Sequence, residues 1–322
     1  MTFLRPQVSS PADIFKRREV LGLAGAATAG VAAWAMLSRH AGGADEHEPA
    51  SHPAAVPDRL PAGDAERLNF ALNLAYLGAQ FHRRAATGEG LSADLLAGIG
   101  DHGSVLGGRR VAFSSPDLAE YASEFADDQV AQVAALRRQL GRAAAAQPSI
   151  DLRSGPRAAF SVAGRAARVV REAAVFDPFS SDGPFLLGAF LIGNRLAAVS
   201  RMLLAGVADS GARTLLAGIL ADAIYHDGLI RSLLAAKAVA DPTIGRAMAS
   251  VSAMQLMLDG PHQLDGNLSA AGAGGDLIDA EGHRMPFFRS PAQVVRSLCL
   301  TAGSSGKGGF FPRGLNGIAS LS

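Results

Sequence analysis

The chain has 322 residues, 48% of them hydrophobic, with 30 basic against 29 acidic side chains. That is enough for one sizeable core, and a formal charge of +1 gives no electrostatic ground for binding nucleic acid or an anionic membrane surface. The single cysteine, Cys299, excludes an internal disulfide framework and any cysteine-built zinc or iron–sulfur site, and it reads as a buried, inert thiol.

At the N-terminus, Lys16-Arg17-Arg18-Glu19-Val20-Leu21 leads into a run from Leu21 to Leu37 without acidic or basic side chains. Paired arginines before a weakly apolar, Ala- and Gly-rich run match a bacterial twin-arginine export signal. An ordinary secretory signal or an uncleaved anchor helix is the other reading. Gly22, Gly25 and Gly30 and the short run weaken a span. Residues 1–44 are therefore taken as the signal, with cleavage after Ala44. Residues 45–63, DEHEPASHPAAVPDRLPAG, are expected to be a mobile linker.

Asp64 is expected to cap a first helix running from Ala65 to about Thr87, where Gly88 and Gly90 stop it. Residues 88–115 hold several glycines and read as a loop. A second helix is expected from Pro116, a favoured first position, to Leu140 before Gly141. Residues 142–181 form a long connection with one short helix near Arg157–Ala173. A third helix is expected over Gly183–Ala205, a fourth over Gly211–Ala238 and a weaker fifth over Pro242–Leu258. The third is apolar nearly all round, as a central element should be. Two long helices, a crossover, then two more is the layout of a ferritin-like bundle, here spanning 64–260. Residues 261–322 read as a mostly irregular extension packed on that bundle, with surface loops such as 271–275. The fold class is all-α. Gly303 to Gly308 lack the spacing of a phosphate loop.

The inward stripes of the first two helices carry amides where a two-metal bundle carries carboxylates: Gln80, then Gln129 and Gln132. A mutually hydrogen-bonded amide layer is the plain reading, and a pocket for a small neutral ligand the sharper one. His226 with Asp222, one turn earlier, offers two ligands for a metal, and two alone hold an ion poorly. Asp222 and Asp227 are expected to face solvent or to cap Arg231, and Asp127 and Asp128 to form a solvated face. His82, with Arg83 and Arg84, is expected to sit at the negative end of the first helix. Arg195, on the apolar third helix, has no evident partner in the sequence.

LNFALNLAYLGAQF at 68–81, Asp128-Gln129-Val130-Ala131-Gln132 followed by LRRQLG, Phe176-Asp177-Pro178-Phe179, Tyr225-His226-Asp227-Gly228, and Gly308-Gly309-Phe310-Phe311-Pro312-Arg313-Gly314 occur in a characteristic order. Together they resemble the ferritin-like family that includes plant desiccation-related proteins and their bacterial secreted relatives, over about residues 64–320. The family's first helix commonly reads LNFALNLEYLEAEF, and its second carries a D-E-x-x-H pattern. What the resemblance implies is a dimetal centre built from glutamates and histidines. This chain departs from it. The expected ligand positions fall on Ala75, Gln129, Gln132, Gly193, Ala223 and His226, with only His226 kept; further family acids fall at Gly78 and Gln80.

Two divalent ions need about four carboxylates for charge balance, and an uncompensated buried ion costs on the order of tens of kcal/mol in the idealised limit. The expectation is an exported, periplasmic or secreted protein with a structural or stress-related role, no cofactor, and no catalytic residues, which points away from an enzyme. Two alternatives stand beside it: an altered metal-binding or oxidoreductase site around His226 holding one Fe, Mn or Zn ion, or a small-ligand binder using the vacated core. No nucleic-acid partner and no membrane span beyond an uncleaved signal are expected, and a homodimer is the candidate assembly.

Overall fold

The computed structural model describes residues 60–259, 289–301 and 306–318. The chain divides into two units, residues 1–51 and 52–322, and all the elements below belong to the second. The export segment over 1–44, most of the linker over 45–63 and the glycine-rich stretch 271–275 lie outside the described residues.

Four long helices form the frame: α1 (Ala62–Thr87), α2 (Pro116–Leu140), α4 (Asp182–Gly206) and α5 (Ser210–Ala240). Their directions follow from who touches whom. On α1 and α2, Gly78 meets Gln129 and His82 meets Phe125, so one helix rises as the other falls. Between α4 and α5, Asp182 meets Lys237 and Phe190 meets Arg231. Between α2 and α5, Asp128 meets His226 and Gln139 meets Asp209. Between α1 and α4, Phe81 meets Phe185 and Asp64 meets Ala208. Each of these neighbouring pairs is antiparallel, the arrangement of a four-helix bundle with a long crossover.

Local chemistry sets the ends. Ser115 accepts from the Leu118 N–H, with Pro116 at the first helical position of α2. Asp209 caps α5 through the Ala212 N–H. Gly88 closes α1 in the left-handed conformation (φ 86°) that glycine adopts without penalty. By length and composition α4 could cross a membrane, but 87% of its most apolar stretch is buried within the bundle, as for a central helix.

The crossover from α2 to α4 carries a short helix α3 (Ala159–Ala166) and a three-residue strand β2 (Ile150–Leu152). That strand pairs in parallel with β1 (Val105–Gly107) from the α1–α2 connection, Val105 opposite Ile150. The segment 88–115, expected to be a loop, is thus stitched into the crossover. Three residues carry too little period to register as a strand in sequence. The fold remains all-α around it.

An aromatic cluster joins the parts. Phe81 of α1 stacks on Phe185 of α4 at 5.6 Å and lies against Phe160 of α3 and Phe179 of the crossover. Phe160 meets Phe310 of the C-terminal segment edge-on at 4.8 Å. Polar anchors add direction. Asn73 donates to the Asn316 carbonyl (2.8 Å) and accepts from the Asn316 N–H (3.0 Å), and Asn69 brackets the Ala143 and Ala145 backbone. The two amides of the LNFALN stretch are therefore buried because they satisfy backbone groups of distant segments.

Several boundaries differ from expectation. Helix α1 begins at Ala62 with Pro61 before it. Asp64 is not the cap; it is buried and accepts from the Ala208 and Asp209 N–H groups, tying the start of α1 to the α4–α5 turn. The short helix is residues 159–166, narrower than the reading of 157–173. The weaker helix expected over Pro242–Leu258 is present as α6 (Pro242–Asp259). The C-terminal extension holds a further helix, α7 (Pro291–Cys299), opened by a Ser290–Gln293 capping box. Cys299 is buried, and burial pushes its thiol up to about 11, so it stays protonated and unreactive.

Candidate functional site

The positions that the family pattern marks for ligands place mostly small or amide side chains at the middle of the bundle. Ala75 on α1 and Ala223 on α5 are buried. The Ile230 side chain comes within 4.0 Å of where a Gly193 Cβ would lie, so an apolar group from α5 fills that space. Gln129 lies over Gly78, whose missing side chain makes room for it.

The three glutamines do not form one layer. Gln80 donates to Gln147 (2.5 Å) and accepts from Arg84 (3.2 Å). Gln132 donates through Nε2 to Asp222. Gln129 fills the space that a Gly78 side chain would take. Gln80 and Gln132 each pair with a different polar side chain, so no shared layer forms.

His82 also departs from expectation. Helix α1 ends at Thr87 as expected, but His82 lies on its inward face, only 2% exposed. Its ring packs edge-on against Phe81, Phe125 and Phe185. Nδ1 donates to the Gly78 carbonyl at 3.0 Å, and no hydrogen bond of ordinary geometry reaches Nε2. Burial first, then the neighbouring His226, hold its pKa down to about 3, against smaller opposing effects from the Gly78 carbonyl and the Gln129 amide. His82 is a neutral imidazole.

Phe125 stands between the two imidazoles, 5.6 Å from His82 and 4.6 Å from His226. Beyond it, among the described residues, lies a cluster of titratable groups. His226 Nε2 is 3.0 Å from Asp128 Oδ2 and 3.5 Å from Asp222 Oδ1. One ligating atom from each of these three residues lies within 4.8 Å of the others. Asp128 and Asp222 therefore do not form a purely solvated face: their side chains are 20% and 24% exposed, and that of His226 is 6%. The crossed pairing, Asp128 with His226 and Gln132 with Asp222, is what D-x-x-x-Q and D-x-x-x-H give on antiparallel helices. Spacing within each helix was visible in sequence; the meeting of α2 and α5 was not.

Burial raises the Asp222 carboxyl above its ordinary range, as do Asp128 and Glu124 nearby, while His226 and the Gln132 amide pull the other way. Tyr225, one residue before His226, donates to Glu124 at 2.9 Å, and burial and that carboxylate raise its pKa. Asp227 pairs with Arg231 at 2.7 Å, as its spacing suggested, and the guanidinium lies over the Phe190 ring. Arg195 is buried on α4 and donates to the Leu191 carbonyl at 2.9 Å. A cleft of about 470 Å³ lies elsewhere, lined by Ala86, Arg110, Val111, Phe113, Ala119 and Ser123, and Gln129 is not among its lining residues.

Comparison with known proteins places this frame. The ferritin-like domain family matches residues 63–236, from the start of α1 into the last turns of α5. A desiccation-related protein of Craterostigma plantagineum, PCC13-62, is 24% identical over 286 residues, covering 81% of this chain and 85% of the plant protein. No solved structure matches. With four antiparallel helices in the right order and a family match over more than half its length, the chain belongs to the ferritin-like domain family, in the company of the desiccation-related proteins.

Proposed function

We propose that this is an exported ferritin-like protein of the bacterial envelope whose dimetal centre has been dismantled, and that its role is structural or stress-related rather than oxidative or iron-storing. The observation that carries this reading is the donor set at the six family positions. Ala75, Gly193 and Ala223 offer no side-chain donor. Gln129 and Gln132 offer only neutral amides, that of Gln132 already donating to Asp222 and that of Gln129 lying in the space over Gly78. His226 alone keeps a strong ligand, and it is turned toward Asp128. A pair of divalent ions brings four positive charges, and this core has no carboxylates at those positions to balance them. The residues present do not fit the family's two-metal group.

The apolar replacement is consistent with a bundle that holds together without ions. Four facing carboxylates would repel one another or take up protons, whereas Ala, Gly and Ile230 pack. The export reading rests on Lys16-Arg17-Arg18 and the weakly apolar run after it. The stress role rests on the likeness to a plant relative named for desiccation.

The test is growth in iron- and manganese-supplemented medium, then elemental analysis of the purified protein and oxygen uptake on adding Fe²⁺. The expected result is fewer than two ions per chain and no oxygen uptake above buffer. Two ions per chain with rapid ferrous oxidation would overturn the proposal.

A further inference from the structure

We infer that Asp128, Asp222 and His226 form a mononuclear site for a divalent first-row transition cation on the seam between α2 and α5, joining the one family ligand kept, His226, to two acids displaced from the family's dimetal positions. The displacement is one residue on each helix. Asp128 directly precedes Gln129, and Asp222 directly precedes Ala223. One residue turns a side chain by about 100° around a helix axis. The acids that would have pointed at the bundle axis are thus replaced by acids facing the neighbouring helix.

The geometry suits one ion. Zinc-like ions hold imidazole nitrogen and carboxylate oxygen at about 2.0–2.2 Å, which at tetrahedral angles puts donor atoms roughly 3.4 Å apart. His226 Nε2 already stands 3.0 and 3.5 Å from the two carboxylate oxygens. Two carboxylates and a neutral imidazole balance a 2+ charge. Among the described residues, neither Asp128 nor Asp222 pairs with a lysine or arginine, so the negative charge is not otherwise met. The carboxylates are about one-fifth to one-quarter exposed while His226 is buried, which leaves an open side for entry and for water ligands.

A separate observation points the same way. Gln132 is 5% exposed, its Nε2 donates to Asp222, and its Oε1 has no hydrogen-bond partner. Turning that amide end for end would replace the orphaned oxygen by nitrogen and offer Oε1 to the same locus as a fourth, neutral donor. On binding, the neutral imidazole changes tautomer: the one proton that Nε2 directs at Asp128 is exchanged through solvent for one on Nδ1, which frees Nε2 for the ion with no net proton released. The ion then replaces the hydrogen bond between α2 and α5 by a coordinate link.

The test uses the full chain, stripped with chelator and titrated with Zn²⁺ and, separately, Co²⁺. One equivalent should bind, the thermal midpoint should rise with Zn²⁺, and Co²⁺ should give visible ligand-field bands of a nitrogen–oxygen site. The isosteric Asp128→Asn and Asp222→Asn variants, which keep the hydrogen-bonding shape, should each weaken binding by at least about tenfold, and His226→Gln should abolish the Co²⁺ bands. Glu124→Gln should leave one equivalent bound. No saturable binding, or binding that survives the Asp128→Asn/Asp222→Asn double variant, overturns the inference. The two proposals separate by stoichiometry. No ion sinks this site and leaves the dismantled-centre reading standing, whereas two ions per chain insensitive to the seam variants sink both.

Discussion

His82 gives the bundle an acid sensitivity that can be worked out beforehand. Its pKa is about 3 in the folded chain against 6.5 for an ordinary histidine. A depressed folded pKa means that the unfolded chain binds a proton the native chain refuses. The stability this leaves is complete above about pH 6.5 and is lost as pH falls toward 3. The slope approaches 1.4 kcal/mol per pH unit, so between pH 7 and pH 5 the native state should lose about 2 kcal/mol through this one group. His82→Leu keeps an apolar side chain of similar bulk among Phe81, Phe125 and Phe185 and removes the proton. Urea denaturation followed by circular dichroism at half-unit pH steps gives the two curves. Asp222, whose carboxyl is raised, contributes in the opposite direction and is common to both proteins. The wild-type curve should fall more steeply by close to one proton per unit across pH 6 to 4, whatever the absolute stability of the variant. Parallel curves would refute a neutral, buried His82.

Phe125 is fully buried between the two imidazoles; Phe125→Ala should cost about 3–5 kcal/mol, read from chemical denaturation. Asn73→Ala removes both hydrogen bonds to the half-buried Asn316 backbone, so it should cost roughly 1–3 kcal/mol and speed proteolysis near residue 316, seen by mass spectrometry of limited digests. At Gly188 an added Cβ would lie 2.5 Å from Pro178 Cβ and 3.2 Å from the Phe81 ring. Gly188→Ala should therefore lower the thermal midpoint by about 1–3 kcal/mol equivalent, despite a helix-propensity gain near 1 kcal/mol.

Much of the frame was legible in the residues because helix punctuation is local. Pro116 and Gly141 bound α2 where the structure has it, and the ends of α4, α5 and α6 fall within about two residues of expectation. What failed was non-local. Asp64 reads as a cap by residue type, but its carboxylate is claimed by backbone N–H groups at 208 and 209. His82 reads as a basic helix end beside Arg83 and Arg84, yet it falls on the face of α1 that Phe125 and Phe185 cover, and only the packing of those helices shows it. Asp222 and His226 were recognisable as a one-turn pair. Their third partner, Asp128, lies 98 positions from His226, and only the antiparallel seating of α2 on α5 brings it in.

The clasp between Asn73 and Asn316 spans 243 positions of chain. Until residue 316 is in place, the Asn73 amide keeps only its Asn69 carbonyl partner, and a loop of that span closes late on entropic grounds. The first rod of the bundle is therefore sealed only once the segment around residue 316 has docked, and a product clipped before that segment would betray itself by an open seam along it.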